Sequence, residues 1–156
     1  MSPATPAYPE SPYRSKTVAA WLALLLGALG AHRFYLQGWH DPLGWLYLPP
    51  TLAGLYGVLR MRELGQDDHL AWLLVPLLGV SISVAMVSSI VHALTPDEKW
   101  DARHNPGRAV VATGWGPVLA AIAGLMVGGA VLMGTIAFSG QKFFEWQLED
   151  SPASRP

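Results

Sequence analysis

Charged residues along this chain gather in short clusters, and long stretches between the clusters carry no Asp, Glu, Lys or Arg. The uncharged blocks run from Thr17 to about Leu36, from Pro42 to Leu59, from His69 to about Leu94, and from Ala109 to about Phe138. The first ends in His32-Arg33 and so reaches Leu36 only if Arg33 lies at a polar boundary, its guanidinium snorkelling along an aliphatic stem. A bilayer core about 30 Å thick is crossed by about 20 helical residues. The blocks lack the period-2 alternation of membrane strands and are too long for them. The pattern therefore predicts an all-α, integral membrane helical protein of about four transmembrane helices. Pro49-Pro50 interrupts the second block, where proline removes a backbone donor and clashes with the preceding turn. A kink or a late helix start is expected there.

Composition agrees with the pattern. Of the 156 residues, 51% are hydrophobic and 13% are charged, against about 25% charged in ordinary soluble domains. A net charge of −1 gives no basic face for nucleic acid. With no cysteine there is no disulfide framework, thiol nucleophile or thiolate metal site. The richness in Ala, Gly, Trp and Pro suggests a bacterial, cytoplasmic (inner) membrane as the location. Residues 1–15, with four prolines, and residues 151–156, the end of a polar tail at 141–156, are expected to be unstructured. The third and fourth spans, 69–94 and 109–140, flank a polar loop at 95–108. With the N-terminus in the cytoplasm, Arg14, Lys16, Arg60, Arg62, Lys142 and Arg155 share one side, opposite Arg33, Lys99, Arg103 and Arg108. That six-to-four excess favours both termini inside.

Helices in lipid associate through small residues and polar contacts. Ala19, Ala23, Gly27 and Ala31 recur every four residues, and Gly124 and Gly128 repeat that spacing in the last block. Packing within the chain is expected to use them, with homo-oligomerisation as the alternative. Ser81, Ser83, Ser88 and Ser89 are expected to bond across helices or to their own turn. Seven tryptophans fall mostly near block ends, where aromatic belts anchor helices at headgroup level.

The first block closes on Gly30-Ala31-His32-Arg33-Phe34-Tyr35. The stretch from Lys16 through this cluster, then a short loop and a second apolar segment to about Arg60, resembles the TM2 domain family. The resemblance implies a helical hairpin over residues 16–62, with spans at about 17–36 and 42–59, and a short polar loop that animal members place in the cytosol. Animal relatives carry an acidic residue where this chain has His32. His32, Arg33, Phe34 and Tyr35 become the candidate contact for a lipid or a partner; the plainer reading makes them a polar, aromatic stop to the helix. Arg33 faces three expected uses: a lipid phosphate, a pair with Asp41, or a partner.

Thr95-Pro96-Asp97-Glu98 reads as a capped helix start with proline at its first position and acids in its first turn. Asp97, Glu98, Asp101 and His104 are candidate metal ligands, but Lys99 and Arg103 interleave with them, so a salt-bridged surface helix is expected and no metal. Asp67-Asp68-His69 reads as a polar cap. No phosphate loop, dinucleotide fingerprint, nucleophile elbow or zincin motif occurs. No acidic residue lies well inside a span; His92 comes nearest among the ionisable groups. The expectation is a non-enzymatic membrane protein without a cofactor, acting on membrane lipids, a membrane-protein partner or another copy of itself. A small transporter or channel subunit is the alternative.

Overall fold

The computed structural model describes residues 12–149. Residues 1–11 of the expected N-terminal tail and the expected C-terminal stretch 151–156 lie outside them. The described residues form α1 (Lys16–Leu26), a 3-10 turn (Gly27–Leu29), α2 (Ala31–Gln37), α3 (Pro42–Trp45), α4 (Leu48–Leu64), α5 (His69–Leu94), α6 (Asp97–His104) and α7 (Gly116–Glu149). No strand occurs among them. α5 and α7 are long and apolar enough to cross a membrane.

α5 is the central post. Asp68 caps it, accepting from the Ala71 amide, and Thr95 closes it in extended backbone just before Pro96. α7 packs antiparallel along its whole length. Gly124 sits against Ile90, Ser89 and the Met86 carbonyl, Gly128 against the Met86 side chain, and Gly79 of α5 against Thr135. The glycine pair therefore faces inward, within the chain. Two further pieces pack on α5, and the first of them, α1, also packs on α7 through Ala20, Ala120 and Ala121. α1 takes the end near Leu94: Ser89 Oγ donates to the Ala20 carbonyl, and a Cβ built on Gly27 would stand 2.7 Å from the Ala85 methyl. α4 takes the end near His69, with Gly57 against Leu74, Gly54 against Leu78, and Arg60 paired with Asp68 at 2.6 Å.

The block expected as one span at 17–36 is broken. α1 stops about 14 Å below the Leu94 end of α5, at the level of Ala85. Gly30 then turns the chain in the left-handed region (φ 76°), and α2 runs back the way α1 came. The Ser15 amide donates to the Tyr35 hydroxyl at 2.9 Å, and Leu36 packs with Ala19 and Trp100. Ala19, Ala23 and Gly27 share one packed face, but Ala31 lies beyond the reversal and does not extend it.

Other expected limits also shift. The second block divides into α3 and α4, with Pro49 and Pro50 in the first turn of α4, where missing donors are harmless. The last helix begins at Gly116 instead of 109 and continues through 141–149. There the pairs Gln141–Glu145 and Lys142–Glu145 extend the helix into the expected tail. Within the expected loop 95–108 stands α6, with Pro96 as its N-cap residue and Asp97 and Glu98 in its first turn. Ser81, Ser83 and Ser88 bond their own helix, and Ser89 bonds α1.

The end near Leu94 is tied by a polar latch. Lys16 pairs with Asp97 and donates to the Thr95 carbonyl. Trp100 Nε1 and Asn105 Nδ2 both donate to the Arg14 carbonyl. Asp101 accepts from Asn105 and from the Val111 amide. The Lys16 ammonium holds the Asp97 carboxyl below the usual carboxylate range. Arg14 and Lys16 thus stand at the same end as Lys99, Arg103 and Arg108. That overturns the expected assignment of these two groups to opposite sides. Trp100, expected as an interface anchor, is 2% exposed.

A substitution pair tests the packing of α4 on α5. Gly54→Ala drives a methyl into the Leu78 backbone and is expected to destabilise by about 1–3 kcal/mol. Gly129→Ala, with nothing within 4 Å, should be neutral or stabilising by up to about 1 kcal/mol. Thermal unfolding of both variants in one detergent measures the difference. Equal effects would contradict the close approach.

Candidate functional site

The reversal between α1 and α2 brings the His32–Tyr35 cluster together with residues from α3, α4 and α5. A helix that stops inside an apolar layer leaves carbonyls without partners, and irregular backbone at that depth persists only where protein satisfies it. Here the Gly30 amide donates to the Gly27 carbonyl, and the Thr51 hydroxyl of α4 donates to the Ala28 carbonyl at 2.6 Å. The Gly30 carbonyl in turn accepts from the Arg33 and Phe34 amides, starting α2. A side chain on Gly30 would meet the Gly44 carbonyl, so α3 crosses directly over the turn.

From this turn the cluster splits into inward and outward halves. His32 is 2% exposed, its ring edge-on to Tyr47 and to His92 with centroids 5.6 Å away in each case. Its Nδ1 is buried without a hydrogen-bond partner. Tyr35 reaches back to Ser15 and packs beside Trp100. Outward, Arg33 Nε donates to Asp41 at 2.6 Å, and Asp41 also caps α3 through the Leu43 amide. The guanidinium lowers the Asp41 carboxyl below its ordinary value. Of the three uses expected for Arg33, the structure shows the pair with Asp41. Phe34 stacks on Trp39 at 5.1 Å and meets Trp45 edge-on at 5.3 Å, while Trp45 Nε1 donates to the Trp39 carbonyl. Trp39 is 71% exposed. Trp39 and Trp45, two of the tryptophans near block ends, stand outside the His32–Tyr35 motif in sequence, and the reversal brings them against Phe34.

The second candidate cluster does not converge. Asp97 receives Lys16 and Thr113, and Asp101 receives Asn105 and Val111. His104 stacks on Trp100 at 4.2 Å. Among the described residues no group of three or more His, Asp or Glu is placed to hold a metal ion. The inner face of α6 is therefore a latch and not the fully solvated surface expected.

The sequence profile of the TM2 domain matches residues 12–61. This is a TM2 domain-containing protein. The matched segment covers α1 through most of α4, so the reversal, the Arg33–Asp41 pair and the aromatic group all belong to it, whereas α5, α6 and α7 lie outside. No curated protein and no solved structure matches the chain.

The Thr51 bond to the broken helix end yields a direct expectation. Thr51→Val keeps the shape but leaves the Ala28 carbonyl unpaired, which should cost about 1–3 kcal/mol. Thr95→Val, whose hydroxyl merely bonds its own helix, should cost little. Melting curves that rank the two variants the other way would remove Thr51 from this role.

Proposed function

We propose that the protein is a non-enzymatic scaffold of a bacterial cytoplasmic membrane, and that its TM2 domain displays an aromatic contact surface to another membrane protein. α3–α4, α5 and α7 make three crossings, and α1–α2 dips into the bilayer and returns. The single observation behind the contact reading is the division of the motif. His32, Arg33 and Tyr35 are engaged in closing the hairpin, and half-buried Phe34 backs the exposed rings of Trp39 and Trp45. Tryptophan-rich exposed clusters are efficient anchors because large rings bury much area at low entropic cost. Leu43 and Leu46 widen the apolar patch, at 51% and 64% exposure.

Charge distribution supports one orientation. Arg14, Lys16, Arg33, Lys99, Arg103 and Arg108 cluster at the end that carries the loop between α2 and α3, against Arg60, Arg62 and Lys142 at the other. By the positive-inside rule the first end is cytoplasmic, which agrees with the loop placement that the TM2 resemblance implies. The described chain then begins in the cytoplasm and leaves α7 on the opposite face, so the expectation of two cytoplasmic termini is not retained.

A photoactivatable residue at position 43 tests the contact in native membranes. The expected result is a discrete protein adduct that disappears in Trp39→Ala/Trp45→Ala while the thermal unfolding of that variant stays unchanged. Adducts that persist in the double variant, or solute flux through proteoliposomes of the purified protein, would overturn the scaffold reading. Flux would favour the transporter or channel alternative.

A further inference from the structure

At the end of the bundle away from the latch, α5 and α7 separate around a cleft of about 650 Å³. Its wall is aromatic and aliphatic, from Trp72, Pro76, Leu77, Phe143 and Trp146. One cation is set into it. Lys142 is 7% exposed, lies over the Trp72 ring at 4.7 Å and reaches Glu145 Oε2 at 2.5 Å. At the mouth, His69 meets Glu149 at 2.9 Å. Glu145 and Glu149 are four residues apart and so share a helix face. A buried cation is costly unless it is paired, so Lys142 calls for a specific counterpart.

We infer that this cleft binds one zwitterionic phospholipid with a primary-ammonium headgroup. The chemistry follows from the charges. An ammonium has three N–H donors, and the single bond from Lys142 to Glu145 leaves donors for a phosphate oxygen. A phosphate on Lys142 would sit beside the Glu145 carboxylate, with Glu149 one turn further along α7, so a purely anionic headgroup is disfavoured by like charge. A headgroup that carries both phosphate and a donating ammonium satisfies both signs: phosphate to Lys142, ammonium to Glu145 and Glu149 through charge-assisted bonds. The depth fits as well. Lys142 lies about 10 Å along α7 from Glu149, which places the cation at the inner edge of a headgroup layer. The apolar wall from Trp72 to Leu77 then receives the upper part of an acyl chain. Pro76, which lacks an amide donor, stands in this wall, and its ring presents only carbon to the chain. The inference needs the chain to reside in a bilayer but does not depend on the aromatic surface at the opposite end.

The experiment is native mass spectrometry of the full chain released from nanodiscs of equimolar phosphatidylethanolamine and phosphatidylglycerol. The expected spectrum shows one lipid retained per chain, with phosphatidylethanolamine preferred by about tenfold. Lys142→Met should abolish retention. Glu145→Gln should keep a bound lipid but erase the preference. Leu77→Trp, which fills the cleft without touching the ion pair, should abolish retention and leave the unfolding temperature unchanged or higher, so the test stands even if Lys142→Met fails to fold. Retention that ignores headgroup in the unaltered chain, or that survives Leu77→Trp, would overturn the inference. The adducts at position 43 should be the same in the Leu77→Trp variant. Their loss there, with lipid retention gone as expected, would count against the scaffold reading alone.

Discussion

A backbone that reverses direction inside an apolar layer must find partners for the groups its helix no longer pairs. In this protein that demand is met at residues 27–30. The chain takes one left-handed glycine, one tight turn and one borrowed hydroxyl, from Thr51. Everything peripheral depends on this arrangement. Because α1 turns back, Tyr35 can reach Ser15, Arg33 can reach Asp41, and Phe34 can stack on Trp39. Because α1 covers one stretch of α5 only, α4 has room to cover the other. Glycines at the contacts, Gly27, Gly54 and Gly57, let both pieces approach α5 closely.

The TM2 domain is joined to the rest of the chain by more than this apolar packing. Its start is gripped by residues that follow α5: Asp97, Trp100 and Asn105 bind Lys16 and Arg14. Such a latch couples the hairpin to the α5–α7 pair, which is otherwise a simple antiparallel couple. Its ion pair also has a defined pH range. The Asp97 carboxyl is depressed by Lys16, so its contribution is fully present above the ordinary carboxylate value and is lost only as pH falls through the lowered one. Neutral and mildly acidic conditions leave it intact.

Much of the helical content was legible because hydropathy and caps coincide. Asp68 before α5 and Thr95-Pro96 after it mark both ends of that helix in the sequence, and the diproline marks where α4 begins. The reversal was not legible. Gly27-Ala28-Leu29-Gly30 is as apolar as the helix before it, and hydropathy records depth in an apolar phase, not direction of travel. Reading the first block as one unbroken helix therefore set Arg14 and Lys16 opposite Lys99, whereas Lys16 pairs with Asp97 at the same end. Gly30, whose φ of 76° few other residues adopt, was the one local hint. The motif was found, but its roles were not. Whether His32 points inward and Arg33 outward is decided by what α4 and α5 place around them. Lys142 was missed for a similar reason: it follows the last apolar block directly, and only the packing of α7 on α5 shows it buried.

In the proposed topology the TM2 domain crosses the membrane once, through α3–α4, after the α1–α2 hairpin has dipped in and returned. The chain has no cysteine, so single cysteines placed on the unaltered background report topology directly. Tyr13→Cys and Gln66→Cys, labelled in intact spheroplasts with a membrane-impermeant maleimide, form the decisive pair. Labelling at position 66 and protection at position 13 are expected, reversed in inside-out vesicles. Labelling of both positions from the same side would show two crossings between them and contradict that topology.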